Sequence, residues 1–300
     1  MTLLITGASG NLGRRAAELV VLERDDQPEL ILVTRRPDAI ADLAEPGATV
    51  RFGDFADPAS LAAAFAGADR MLLISTDAFG DERVAQHRAA IDAAREVGVR
   101  HVAYTSFVNP TAANPVAIVP DHRATEDYLA ASGLEWTFLR SAQWVEWQIP
   151  DGEPDRFPEW ASVPQTGVLR HNRGDGRSAY VSRRDFAAAA TAVLTGGAQH
   201  AGRAYDITGP ELITAAELAE ACAKITGRPV TAQAVSDTQF IEGLVAAGVP
   251  EFVATVIASF GAATRLGALE VMRPAVADLT GRPATTVSEV LEGALTPAVI

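Results

Sequence analysis

Lysine and cysteine are almost absent from this chain of 300 residues. Cys222 is the only cysteine and Lys224 the only lysine. One thiol cannot form an intrachain disulfide. The five histidines, His87, His101, His122, His171 and His200, stand in no Cys/His cluster with metal-ligand spacing, so no metal site is expected. Arginines are many but outnumbered by acids: the net charge of −13 argues against a nucleic-acid partner, which needs a concentrated basic surface. No apolar run approaches the roughly 20 residues a membrane helix requires, although 48 % of the residues are hydrophobic. The N-terminus has no basic region ahead of its few apolar residues, unlike a secretory signal. The expectation is a cytoplasmic protein with no membrane partner.

What is present begins at once. In TLLITGASGNLGRR a short apolar run is followed by Gly7, Gly10 and Gly13, and a helical pattern resumes at Leu12, Ala16, Leu19 and Val20. A strand that stops at a glycine and re-emerges as a helix leaves the first N–H groups of that helix open to an anion. The expected anion is a dinucleotide pyrophosphate. Gly7 permits the turn, Gly10 lets the backbone approach the phosphates and Gly13 lets the helix pack on the strand. The spacing, G-x-x-G-x-x-G, is a variant of the usual G-x-G-x-x-G fingerprint.

Up to about residue 140, short aliphatic runs alternate with helical stretches, which predicts a doubly wound parallel α/β sheet of the Rossmann type. Strands are expected at 2–6, 30–34, 49–52, 71–75, 101–105 and 136–139. Residues 1–140 are assigned to the dinucleotide-binding domain and 141–300 to a smaller α/β lobe. The two interleave, because the strand and helix around 178–195 should return to the sheet. Capping spacings at Ser182/Asp185, Thr214/Glu217 and Ser236/Gln239 mark helix starts in the second half.

Ligands of such sheets bind off the carboxyl ends of the strands. That selects Gly7, Ala8, Ser9, Gly10, Asn11, Leu12 and Gly13, then Arg35, Asp54 and Phe55, Ile74, Ser75 and Thr76, and Thr105 and Ser106. After the sixth strand it adds Ser141, Ala142, Gln143 and Trp144. An acidic residue after the second strand would hold a ribose 2′-hydroxyl, whereas arginine there suits a 2′-phosphate, so Arg35 predicts NADPH over NADH. Asp54 and Phe55 fit the adenine end, or equally a turn and the core. The stretch 106–120, with three prolines, reads as a functional loop. Phe107 and Asn109 there, with Trp144 and Trp147 from 141–178, predict a wall for an aromatic substrate, although the tryptophans could equally pin the loop to the domain.

Short-chain reductases with this kind of first turn use a tyrosine acid and a lysine four residues on. Here Tyr104, Tyr128, Tyr180 and Tyr205 are followed at that distance by Val108, Ser132, Arg184 and Gly209. Hydride transfer must therefore do without that pair.

The motifs TGASGNLG, RFGDF, LLIST, QHRAAIDAAREVGVRHVAYTS, DHRATEDYLAASGLEWTFLR and SRRDFAAAA, with the arginine after VT, are specific as a set. Through them the chain resembles the NmrA-like branch of the atypical short-chain dehydrogenases, and within it the type 2 NADPH:quinone oxidoreductases. The resemblance implies cofactor contacts from Gly7 to Gly13, Arg35, Ile74 to Thr76 and Ser141 to Glu146, with Arg183 near cofactor or substrate. It also puts His122 where related phenylpropanoid reductases carry a catalytic lysine; a general acid there, or a helix-surface histidine, are the two expectations. The segment RSAQWVEW and the proline-rich stretch 151–164 depart from the family pattern. A quinone acceptor yields a delocalised oxyanion that water can protonate, so positioning could suffice. The same branch contains non-catalytic dinucleotide-binding redox sensors, which is the alternative.

Overall fold

The computed structural model describes residues 1–22, 29–44, 47–148 and 163–295. Trp160 and most of the proline-rich stretch at 151–164 fall outside these residues. The centre is a sheet of seven parallel strands. Six come from the first half: β1 (Thr2–Ile5), β2 (Glu29–Thr34), β3 (Thr49–Phe52), β4 (Arg70–Leu73), β5 (His101–Phe107) and β6 (Glu135–Ser141). Leu4 pairs with Ile31 on one side and Met71 on the other, so β1 lies between β2 and β4. The order of strands reverses there, and the crevice at that switch point is where ligands of open parallel sheets bind.

Alternate residues of β1, β2, β4, β5 and β6 feed two separate core layers, which is why these strands read as apolar runs. Leu3, Ile5, Leu30, Leu32, Leu72 and Leu139 face a layer that includes Ala16 and Val20 of α1 (Asn11–Leu22). Leu4, Ile31, Val33, Met71, Val102 and Phe138 face the other. That layer is closed by α2 (Leu61–Phe65), α3 (Gly80–Glu96) and α4 (Val119–Ala131) through Phe65, Ile91, Ala94 and Leu129.

The strand expected to return to the sheet, Ser178–Val181, pairs instead with Gln143–Trp144 and Leu212–Ile213, and it is the helix Arg183–Gly196 that packs on the sheet. Its Phe186, Ala190 and Val193 share the core layer of α1. A strand from beyond the boundary expected at 140 also joins the sheet. The strand Arg203–Ile207 pairs in parallel with β6 along its length, Arg203 opposite Thr137 and Ile207 opposite Ser141, and forms the sheet's seventh strand. Without it β6 would present an open edge.

The remaining chain forms the lobe. Gln143–Trp144, Ser178–Val181 and Leu212–Ile213 make a three-stranded sheet, and Val168–His171 pairs with Thr231–Ala234. The helix Glu251–Arg265 lies over the crevice: Ala117 N–H donates to Ser259 Oγ at 3.0 Å, and Phe260 packs into the sheet's own core layer.

Candidate active site

The glycine turn is built as the spacing requires. Gly7 has φ of +60°, a conformation side chains disfavour. A Cβ on Gly13 would collide with the Gly7 carbonyl oxygen and lie 2.9 Å from Ala8 Cα, so only glycine lets α1 sit this close to β1. The turn is clamped on both sides. Thr6 Oγ1 donates to Leu72 O at 3.2 Å and accepts from Ile74 N–H at 2.9 Å. Ala8 N–H donates to Val33 O, and the Ser9 and Thr34 hydroxyls meet at 2.6 Å. Gly7, Gly10 and Asn11 are exposed, with Ala8 and Gly13 buried beneath and Leu12 half-buried against the core. The positive end of α1 therefore opens on the crevice.

Past β2, the Thr34 hydroxyl accepts from Arg36 N–H at 3.0 Å, and the Arg35 side chain stands 68 % exposed. Among the described residues its ion-pair partner is Asp77, 3.9 Å away and itself exposed. Asp54 Oδ1 accepts from Ala56 N–H at 3.0 Å and closes a local turn, and Phe55 packs half-buried on the second core layer. Both residues thus have structural roles in the turn after β3.

Beyond β4 and β5 the backbone is tied across: Ser75 N–H donates to Thr105 Oγ1 at 2.9 Å and Thr76 N–H to His87 Nε2 at 3.0 Å. Two hydroxyls here, Thr76 Oγ1 and Ser106 Oγ, are buried without a hydrogen-bond partner. Orphaned buried hydroxyls beside an open helix N-terminus fit a polar ligand such as a dinucleotide. After β6, the Ser141 hydroxyl donates to Ala142 O at 2.7 Å, and Gln143 Oε1 accepts from Ser178 Oγ at 3.1 Å. These two side chains brace the segment that carries Ala142 and Trp144. The Arg183 guanidinium lies over the Trp144 ring, 5.8 Å from its centroid, while Arg183 N–H donates to Glu146.

Four aromatic rings meet beside this segment. Phe107 packs edge to face on Phe260 at 5.6 Å, Phe260 touches Trp147 at 6.2 Å, and Trp147 touches Trp144 at 6.4 Å. Phe260, more than 100 residues beyond the others, carried no signal in the sequence. Asn109, expected on the same wall, has its amide committed to the Ala268 carbonyl at 2.9 Å, so it ties the loop to the lobe.

His122 is neither on the helix surface nor suited to titrate near neutrality. It is buried, its Nδ1 lies 2.8 Å from Tyr104 Oη, and its ring is bounded by Phe107 at 6.5 Å. Burial, and then the charge of Arg83, hold its pKa well below the usual histidine value. The helix-surface placement is therefore corrected, and a proton donor here would be a neutral ring. Sequence reasoning also missed its neighbours. Arg83, His87 and Asp121 are all buried between α3 and α4, with Arg83 and Asp121 3.6 Å apart.

An open parallel sheet, an anion-ready helix at its switch point and an aromatic wall opposite define a dinucleotide-binding protein of the doubly wound class. A family model described as NAD(P)H-binding matches residues 7–196. The chain belongs to that family. It is 33 % identical to quinone oxidoreductase 2 of Escherichia coli over 288 residues, covering 95 % of this chain and 96 % of the relative. Among solved structures, the NADPH complex of the NADPH-dependent quinone oxidoreductase of Escherichia coli superposes with a TM-score of 0.88 at 32 % identity, covering 98 % of this chain and all of that one. The triphenylmethane reductase of Citrobacter sp. gives 0.88 at 29 % identity, covering 98 % and 99 %. The resemblance read from the motifs thus extends along nearly the whole chain.

Proposed function

We propose that the protein is an NADPH-dependent oxidoreductase that reduces quinones or similarly conjugated aromatic acceptors. The carrying observation is the aromatic wall of Phe107, Trp144, Trp147 and Phe260 at the carboxyl ends of β5 and β6. It stands where an acceptor ring would stack next to a bound nicotinamide. The names of the relatives, which act on quinones or on dyes, support the same acceptor class.

The open first turn of α1, from Gly7 to Gly13, would hold the pyrophosphate, Arg35 the 2′-phosphate, and Thr76 and Ser106 the ribose and amide groups near the switch point. Bound reduced nicotinamide supplies the hydride. The chain's part is to fix the acceptor ring, exclude water with the aromatic wall, and offer the His122 ring proton to the oxygen that gains charge. Lys224 sits in the lobe helix Ala215–Thr226, paired with Glu220, so no Tyr-Lys pair forms. Among the described residues no helix is long and apolar enough to cross a membrane, and no group of three or more ligating side chains could hold a metal. We place the activity in the cytoplasm, with a small-molecule partner.

The test is NADPH oxidation against a panel of quinones, azo dyes and triphenylmethane dyes. Turnover with at least one conjugated acceptor is expected, with NADPH preferred over NADH. Tight NADPH binding with no oxidation by any acceptor would instead identify a redox sensor.

A further inference from the structure

Between α3 and α4 a run of hydrogen bonds can be followed in one direction only. It begins at a backbone amide, which can donate but not accept: Thr76 N–H points at His87 Nε2, 3.0 Å away. His87 Nε2 must then be bare, and the ring's proton sits on Nδ1. Thr125 Oγ1 donates to Asp121 O at 2.9 Å, so toward His87 Nδ1, also 2.9 Å away, it accepts. Tyr104 Oη lies 3.4 Å from that same protonated Nδ1 and 2.8 Å from His122 Nδ1. Of these two nitrogens only His122 Nδ1 can accept the phenol proton. The proton of the neutral His122 ring is thereby left on Nε2.

We propose that His87 and Tyr104 are positioning residues that lock His122 as its Nε2–H tautomer, so that a neutral imidazole presents one defined proton to the acceptor oxygen. The proposal rests on the reductase function above. In the step itself the His122 Nε2–H group stays intact and donates a hydrogen bond to the acceptor oxygen as hydride arrives, and the oxyanion takes its proton from water. Tyr104 stays a phenol, since burial pushes its pKa up.

The ionisable groups around His122 are Arg83 and His87 from α3, Tyr104 from β5, and Asp121 and Glu126 from α4. Arg83 opposes protonation of both rings, and burial opposes it more. Asp121 faces Arg83 and accepts from Gly80 N–H, and Glu126 is held by Arg140 at 2.6 Å, so neither carboxylate is spent on His122.

Nitrogen NMR of 15N-histidine-labelled protein without cofactor tests the tautomers directly. Between pH 6 and 8 (about the range in which an ordinary histidine titrates), His122 should read as a neutral ring protonated on Nε2 and His87 as one protonated on Nδ1. Tyr104→Phe should move the His122 signals to those of a mixed tautomer, and lower kcat about tenfold at unchanged KM. Steady-state kcat of the wild type should be flat over the same pH range. A His122 protonated on Nδ1, an imidazolium at pH 7, or a His122 signal unmoved in a folded Tyr104→Phe protein each overturns the proposal. The wild-type spectra decide even if that variant does not fold. Correct tautomers in a protein that oxidises no NADPH would overturn the reductase function and leave the tautomer lock standing.

Discussion

Arg35 stands exposed, and among the described residues the ion pair it makes is with Asp77, 3.9 Å away with both side chains exposed. An exposed pair of that kind is worth about 0–1 kcal/mol, whereas a guanidinium on a phosphate makes charge-assisted hydrogen bonds of roughly 1.5–3 kcal/mol each. A 2′-phosphate should win the arginine from Asp77. Arg35→Ala is then expected to weaken NADPH binding tenfold or more and leave NADH nearly unchanged, as titration calorimetry of both cofactors would show. Equal losses for the two would mean that Arg35 does not read the phosphate. Three further histidines act at this scale through burial. His87 is pushed down to about 3, and His101 and His171 to about 4, in each case chiefly because the charged form loses its hydration. Each is neutral when folded but takes up a proton on unfolding once pH falls below about 6.5. The unfolded state then binds more protons, so stability is intact above pH 6.5 and is lost progressively down to the folded values. At about 1.4 kcal/mol per unit and group, lowering pH from 6.5 to 5 costs about 2 kcal/mol for each ring. Urea midpoints should drop sharply across that interval; a midpoint constant down to pH 5 would show that the rings are not buried neutral.

At the scale of single elements, the helix Arg183–Gly196 joins the two halves. Its N-cap is Ser182, whose hydroxyl accepts from Asp185 N–H at 3.0 Å, as the S-x-x-D spacing predicts. The Asp185 carboxylate does not complete a capping box. Fully buried, it accepts instead from Arg282 at 2.7 Å and from Thr285 N–H at 2.6 Å, and so fastens the C-terminal segment to the helix. Ser182→Ala should cost about 1 kcal/mol, an ordinary cap. Asp185→Ala should cost about 2–4 kcal/mol, because it strands a backbone donor and a partly buried cation. Hydrogen exchange should show the extra loosening at residues 282–295 in the second variant alone; the same pattern in both would remove the fastening role. The contrast shows where local sequence stops being informative. Thr214/Glu217 and Ser236/Gln239 do form full capping boxes, since nothing distant competes for their acidic or amide partners. β1 to β6 fall within about two residues of the strands expected from aliphatic runs; all but the half-exposed β3 are buried on both faces, and such a strand announces itself by composition. The His87–Tyr104–His122 run was illegible for the opposite reason. Arg83, His87, Asp121 and Glu126 are polar residues at buried helix positions, and a polar residue on a helix reads as surface until its partner on another helix is known.

For the molecule as a whole, the glycine turn, Arg35 and the strand ends were legible because one rule of sheet topology gathers them at a single crevice. The lobe's contribution was not. Phe260 reaches the aromatic wall, Ala268 holds Asn109 and Ser259 meets Ala117 only because the helix Glu251–Arg265 folds back over the first half. A strand at Arg203–Ile207 is legible in the sequence, but its place beside β6 is not, and that place carries a consequence for how the protein is made. As the chain leaves the ribosome, β6 is complete at Ser141, but the strand that covers its edge is finished only at Ile207. At about 5–20 residues per second of synthesis, that edge stays unpaired for roughly 3–13 seconds, long enough to meet another nascent chain on the same message. Trp136 and Phe138, stacked at 4.0 Å on this strand, would be the rings offered during the delay. Slower translation between the two strands should therefore lower the yield of native enzyme without altering a single contact in the finished fold.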